Sequence, residues 1–83
     1  MKLADRIRHF VKTNRIEPAR ERGEKTVSLI AGDIHRELDL DNRMPAVCEA
    51  LDAEKFMDYA RVTVIERSGP RMGSSATWIF SLE

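Results

Sequence analysis

Near residue 60 the spacing of apolar side chains changes from helical to alternating, and no other feature narrows the possible folds as much. Upstream, Leu3, Ile7, Phe10 and Val11 recur every three or four residues, and so do Ala31, Ile34 and Leu38 and then Val47, Cys48 and Leu51. This is the spacing of one helix face. Downstream, Arg61-Val62-Thr63-Val64-Ile65-Glu66 and Ala76-Thr77-Trp78-Ile79-Phe80-Ser81-Leu82 alternate, as half-buried strands do. Helices followed by a strand pair predict an α+β fold in which Val62 and Val64 pair with Trp78, Phe80 and Leu82 to cover the helices.

The first helix is expected to run about three turns, with Asp5, Arg6, Arg8 and Lys12 on its polar side. Thr13-Asn14 weakens it, and Ile16 extends its apolar face before Pro18. Two readings stand open for residues 17–25: a short second helical turn closed by Gly23 as a left-handed cap, or a solvated basic loop. Thr26-Val27-Ser28-Leu29-Ile30 reads as a strand, being β-branched and partly alternating. A helix over 31–38 follows, with Asp33 near its start, where a carboxylate suits the dipole. Leu40-Asp41-Asn42-Arg43 breaks the pattern. Asp41 or Asn42 is then the expected N-cap of a helix running to about residue 57, with Pro45 in its first turn. Between the last two strands lies Arg67-Ser68-Gly69-Pro70-Arg71-Met72-Gly73-Ser74-Ser75, a basic loop without acids, read as flexible and projecting and too long for a two-residue turn.

The order helix, strand, helix, turn, helix, strand, loop, strand resembles the winged helix-turn-helix superfamily over nearly the whole chain. Its carriers are Thr26–Ile30 as first strand, 31–38 and 44–57 as the paired helices, and 61–82 as the winged hairpin. The stretch Ala31-Gly32-Asp33-Ile34-His35-Arg36-Glu37-Leu38 followed by Asn42-Arg43-Met44-Pro45-Ala46-Val47-Cys48-Glu49-Ala50-Leu51 looks like a compact domain of small bacterial and archaeal proteins. The resemblance implies one domain over 1–83, with three helices, a small antiparallel sheet and a C-terminal winged β-hairpin. It implies double-stranded DNA as partner, the second paired helix entering the major groove and the wing touching backbone or minor groove. By position this points to Asn42, Arg43, Ala46, Glu49 and Ala50 for the groove, and to Arg67, Ser68, Arg71, Ser74 and Ser75 for the wing. A transcriptional regulator or an accessory subunit of a nucleic-acid system fits. So small a domain makes few groove contacts, so a homodimer or a protein partner is expected.

Charge complicates that expectation. Fourteen basic residues balance fourteen acidic ones, whereas DNA-binding domains are often basic. Residues 1–25 carry eight basic against four acidic groups, and residues 26–60 carry three against eight. A positive stripe joining residues 1–25 to the wing favours DNA. A continuous acidic face over the second paired helix favours the alternative, docking of a protein partner there. Glu49 can accept from a cytosine amino group or repel phosphate. Arg36 can hold a phosphate or form an ion pair with Asp39, worth under about 1 kcal/mol.

Other chemistry finds less support. His35 and Glu37 form His-x-Glu, but Pro45-Ala46-Val47-Cys48 supplies one thiol where a zinc deaminase needs two. Cys48 beside Val47 reads as a small core hydrophobe rather than a nucleophile, and Trp78 as core rather than a stacking platform. Gly69 and Gly73 sit in a hairpin loop, not in the strand-to-helix turn of a phosphate loop. No catalytic residue, cofactor or metal is expected. A lone cysteine and the lack of a signal-peptide pattern lead to the expectation of a reducing cytoplasm.

Overall fold

The computed structural model describes residues 2–83. Five α-helices and a three-stranded antiparallel sheet make an α+β fold in the order α1 (Leu3–Val11), a π-helical segment (Lys12–Ile16), α2 (Glu17–Glu21), β1 (Thr26–Ile30), α3 (Ala31–Glu37), α4 (Met44–Asp52), α5 (Glu54–Ala60), β2 (Thr63–Ser68) and β3 (Thr77–Ser81). Among the described residues no helix is long and apolar enough to cross a membrane.

The first helix continues past Thr13-Asn14 because of where its apolar residues fall. Ile7, Val11, Ile16 and Ala19 are all buried, and the step from Val11 to Ile16 is five residues. An α-helix would swing Ile16 off the buried face, and a π turn, closing over five residues, brings it back. The segment also precedes Pro18 and relieves the clash that an interior proline makes with the carbonyl four residues earlier. Of the two readings open for 17–25, the helical one holds. Gly23, at φ 77°, closes α2 with bonds from Gly23 N to Arg20 O (2.9 Å) and Glu24 N to Ala19 O (3.0 Å), a Schellman end.

The single helix expected over 44–57 is two. Ala53 is extended (φ −75°, ψ 138°), ending α4 and starting α5. Neither Gly nor Pro marks the break. Its cause is tertiary: five residues at about 100° each would leave Phe56 about 140° around from Leu51, yet both are buried. The break turns Phe56 inward, where its ring meets Phe80 edge-on at 5.4 Å.

β3 is the central strand, pairing with β1 (Thr26↔Ser81 to Ile30↔Thr77) and with β2 (Thr63↔Ser81 to Ser68↔Thr77). Trp78, Phe80 and Leu82 are buried against the helices, as is Val62, while Val64 stays 38% exposed. The register shifts between Val64↔Phe80 and Glu66↔Ile79, leaving Ile65 as an extra residue. Strict alternation would set Glu66 opposite Trp78. The bulge moves the register by one, and Arg67 takes that place instead.

Arginines of the first helical stretch cap the helices packed on it. Arg8 Nε donates to Ala50 O at 3.1 Å, and Arg20 donates to Ala60 O at 2.9 Å and to Arg61 O. These are carbonyls at the ends of α4 and α5 that lack partners within their own helices. Arg8 is 11% exposed, and a hydrogen bond to a charged group contributes about 1.5–3 kcal/mol. Arg8→Met, which keeps the stem packed, is expected to lower unfolding free energy by that amount in urea titration. A loss below about 0.5 kcal/mol would mean that water satisfies the carbonyl equally well.

Candidate functional site

The residues expected to meet a ligand fall on two adjoining parts of the fold: the turn and helix spanning 42–49, and the loop between β2 and β3. The turn is built at its α3 end by bonds from Leu40 N to His35 O (3.1 Å) and Asp39 N to Arg36 O (3.0 Å). Asp39 takes the left-handed position usual for glycine, with φ 54°. Asn42 is also left-handed, at φ 54°. Neither Asp41 nor Asn42 caps α4: the N-cap is Arg43, without a side-chain bond. The Arg43 N–H instead donates to His35 Nε2 at 3.1 Å. His35, singled out in the sequence only by its His-x-Glu spacing, therefore latches α3 to the start of α4. Arg36 pairs with Asp33 Oδ1 at 2.8 Å rather than with Asp39, and its side chain remains 73% exposed.

Along α4, Arg43 and Glu49 are exposed and Ala46 is half-buried. Ala50, carried into the groove set by position, is buried, and its carbonyl is the one Arg8 caps. It does not belong on the outer face. Val47, Cys48 and Leu51 fill the core beside it.

The loop is shorter than its sequence implies, because Arg67 and Ser68 belong to β2. It also does not project freely. Gly32 N donates to Ser74 O at 2.9 Å and Ala31 N to Ala76 O at 2.9 Å, tying its return arm to the first turn of α3. Cys48 Sγ lies 3.9 Å from Gly73 O. Arg67 draws in the rest: Nε and Nη2 donate to the two oxygens of Asp52 at 2.9 and 3.3 Å, Nη1 to Ser68 O, and Nη2 to Pro70 O and Arg71 O. Its guanidinium lies 4.6 Å from the centre of the Trp78 ring, a cation–π distance. Asp52 also accepts from Trp78 Nε1 at 2.7 Å. The hydrogen bond to Asp52 raises the Arg67 pKa above its ordinary value, against partial desolvation. All three of its nitrogens are thus engaged inside the protein. Arg71, Ser74 and Ser75 remain exposed on the loop.

Charge is redistributed by pairing. Arg15, Arg22, Arg36, Lys55 and Arg67 each have a carboxylate partner, as Arg8 has in Asp5. Lys12 lies over the Tyr59 ring. Arg20 is taken up by backbone carbonyls, and among the described residues Lys2, Arg6, Lys25, Arg43, Arg61 and Arg71 have none of these partners. Lys25 and Arg61 sit where β1 and β2 begin, the far end of the sheet from the loop, about 15 Å away at strand rise. Of the unpaired cations in residues 1–25, Lys25 therefore lies away from the loop. The acidic face is interrupted, since Arg67 pairs with Asp52. Arg43 and Glu49 on the helix and Arg71 on the loop are each exposed.

Gly69 has φ 82°, and a Cβ there would sit 2.6 Å from Ser75 O, whereas one on Gly23 would meet nothing within 4 Å. Gly23→Ala is expected to cost about 1–2 kcal/mol for its left-handed backbone. Gly69→Ala should exceed that in the same unfolding assay, and equal costs would show that the loop yields freely. Cys48 gives a second test. Burial raises its pKa above the ordinary value, the Arg67 charge opposes this and Asp52 adds to it. The folded chain therefore holds the thiol proton more tightly than the unfolded one. This contribution to stability is complete below the ordinary thiol range and lost as pH rises through it toward the folded value. Thiol labelling at pH 8 should be slow in the native protein and fast in urea, and fast native labelling would place Cys48 outside the core. Compared with known proteins, the chain matches no family model, no curated protein and no solved structure.

Proposed function

We propose that this chain is a winged helix-turn-helix module that binds double-stranded DNA, with α3 and α4 as the paired helices and the β2–β3 loop as the wing. One observation carries this reading. The loop is held against α4 at Cys48 and Asp52, which brings exposed, unpaired Arg71 to the helix whose N-cap is exposed, unpaired Arg43. Arg43 lies about 7 Å along the helix from Cys48, at 1.5 Å per residue. Phosphate contacts come from these two arginines, with Ser74 and Ser75 as neutral donors. Asn42, Ala46 and Glu49 face the bases, where Glu49 accepts from a cytosine amino group.

The two unpaired arginines assigned to the duplex, Arg43 and Arg71, define what to expect. With about two phosphates neutralised, the logarithm of affinity should fall with the logarithm of salt at a slope near −2 per chain, and Arg71→Ala or Arg43→Ala should each flatten it by about one unit. Contacts so few imply that tight binding needs two copies or a companion subunit. A duplex titration at several salt concentrations checks this, and affinity indifferent to salt would end the DNA reading.

A protein partner is the second reading. It is favoured by the acids that lack a cation between the α3–α4 turn and α5, Asp39, Asp41, Glu49, Glu54 and Asp58. Glu49→Lys separates the two: duplex binding should strengthen several-fold under the first, and a basic partner should be lost under the second. Asp52 is unsuited to this test because its reversal would disturb the loop.

A further inference from the structure

We infer that the Asp52–Arg67 pair is a clasp that fixes the β2–β3 loop against α4 and thereby sets where Arg71 is presented, making Arg67 a positioning residue rather than a ligand contact. The DNA consequence rests on the reading proposed above, whereas the clasp does not.

Three independent features converge on Arg67. The bulge at Ile65 places it, instead of Glu66, opposite Trp78 on the inner side of β2. Its fork meets both oxygens of Asp52, the last residue of α4, a geometry that lysine cannot reproduce. Nη1 collects the carbonyl of Ser68, and the two hydrogens of Nη2, shared with Asp52, collect those of Pro70 and Arg71, groups on a surface loop that water could otherwise satisfy. Arg67 is thus bonded to the helix on one side and to the loop backbone on the other, while its face covers the indole of Trp78. Asp52 completes the set through Trp78 Nε1. Side chains that support a contact residue in this way fix its position to a fraction of an ångström. The Arg71 carbonyl, a Nη2 partner at 2.9 Å, is also the one trypsin must attack to cut between Arg71 and Met72.

Native-state proteolysis reads the clasp directly. In Asp52→Asn, which preserves shape and every trypsin site, cleavage after Arg71 is expected to accelerate at least about tenfold, the signature of local opening. Cleavage after Lys25 and Arg43 should stay near the wild-type rate. Uniform acceleration at all sites would report global loss of structure and overturn the clasp, as would an unchanged rate after Arg71. Arg67→Lys, which keeps charge and stem, should behave like Asp52→Asn, and retention of wild-type protection by it would also overturn the proposal. Trp78 is the sole tryptophan, so its emission should shift in both variants while urea titration shows them folded. Against duplex DNA, Arg67→Lys should weaken binding about five- to tenfold with the salt slope unchanged. Arg67→Gln should likewise leave the slope unchanged. A slope flattened by one unit in Arg67→Gln would make Arg67 a phosphate contact and refute its positioning role. Loss of protection after Arg71 with no duplex binding by the wild type would remove the DNA reading and leave the clasp standing.

Discussion

The carboxylate of Asp52 joins parts of the chain that are distant in sequence. It ends α4, accepts from the indole of the central strand and takes the guanidinium of the edge strand. A carboxylate at a helix C-terminus is unfavourable against the dipole, and Arg67 offsets that cost while gaining a partner itself. Through Arg67 the same group gathers the hairpin loop. The orientation of the loop relative to α4, on which any shared surface depends, follows from this one side chain and from the buried face of β3 beneath it.

Positive charge in this protein mostly serves the protein. Arg8 and Arg20 close the ends of α4 and α5, and Arg15 reaches Glu37 at the end of α3. Helix ends expose carbonyls that need donors, and the short helices of this chain create many such ends within a small core. Arginine suits the task because its long apolar stem packs while its head reaches a carbonyl. Part of the basic character of residues 1–25 is therefore a consequence of how the helices are terminated. Among the described residues six cations are left without a partner, and where they sit matters more to any ligand than the net charge of the chain.

Much of the architecture was legible from periodicity. The alternation of Trp78, Phe80 and Leu82, the β-branched run at Thr26–Ile30 and the 3-4 spacing of Ala31, Ile34 and Leu38 correspond to the elements they suggest, because each is a local pattern with one burial solution. The breaks were harder. Nothing at Ala53 marks a helix end, and nothing at Lys12 marks a π turn; both arise from the need to bring Phe56 and Ile16 onto buried faces already occupied by Leu51 and Val11. The exposed positions Arg43, Glu49 and Arg71 could be picked out by residue type. The roles of His35, Arg67 and Ala50 could not, since a turn latch, a loop clasp and a capped carbonyl each need a partner between 8 and 42 residues away.

By itself, then, the sequence determined the class of fold and the order of its elements, because hydrophobic periodicity is a local property that backbone geometry converts into helix or strand. Only the tertiary structure decided which charges are free. Pairing depends on distances across the fold, and a one-residue bulge at Ile65 was enough to put Arg67, in place of Glu66, against Trp78.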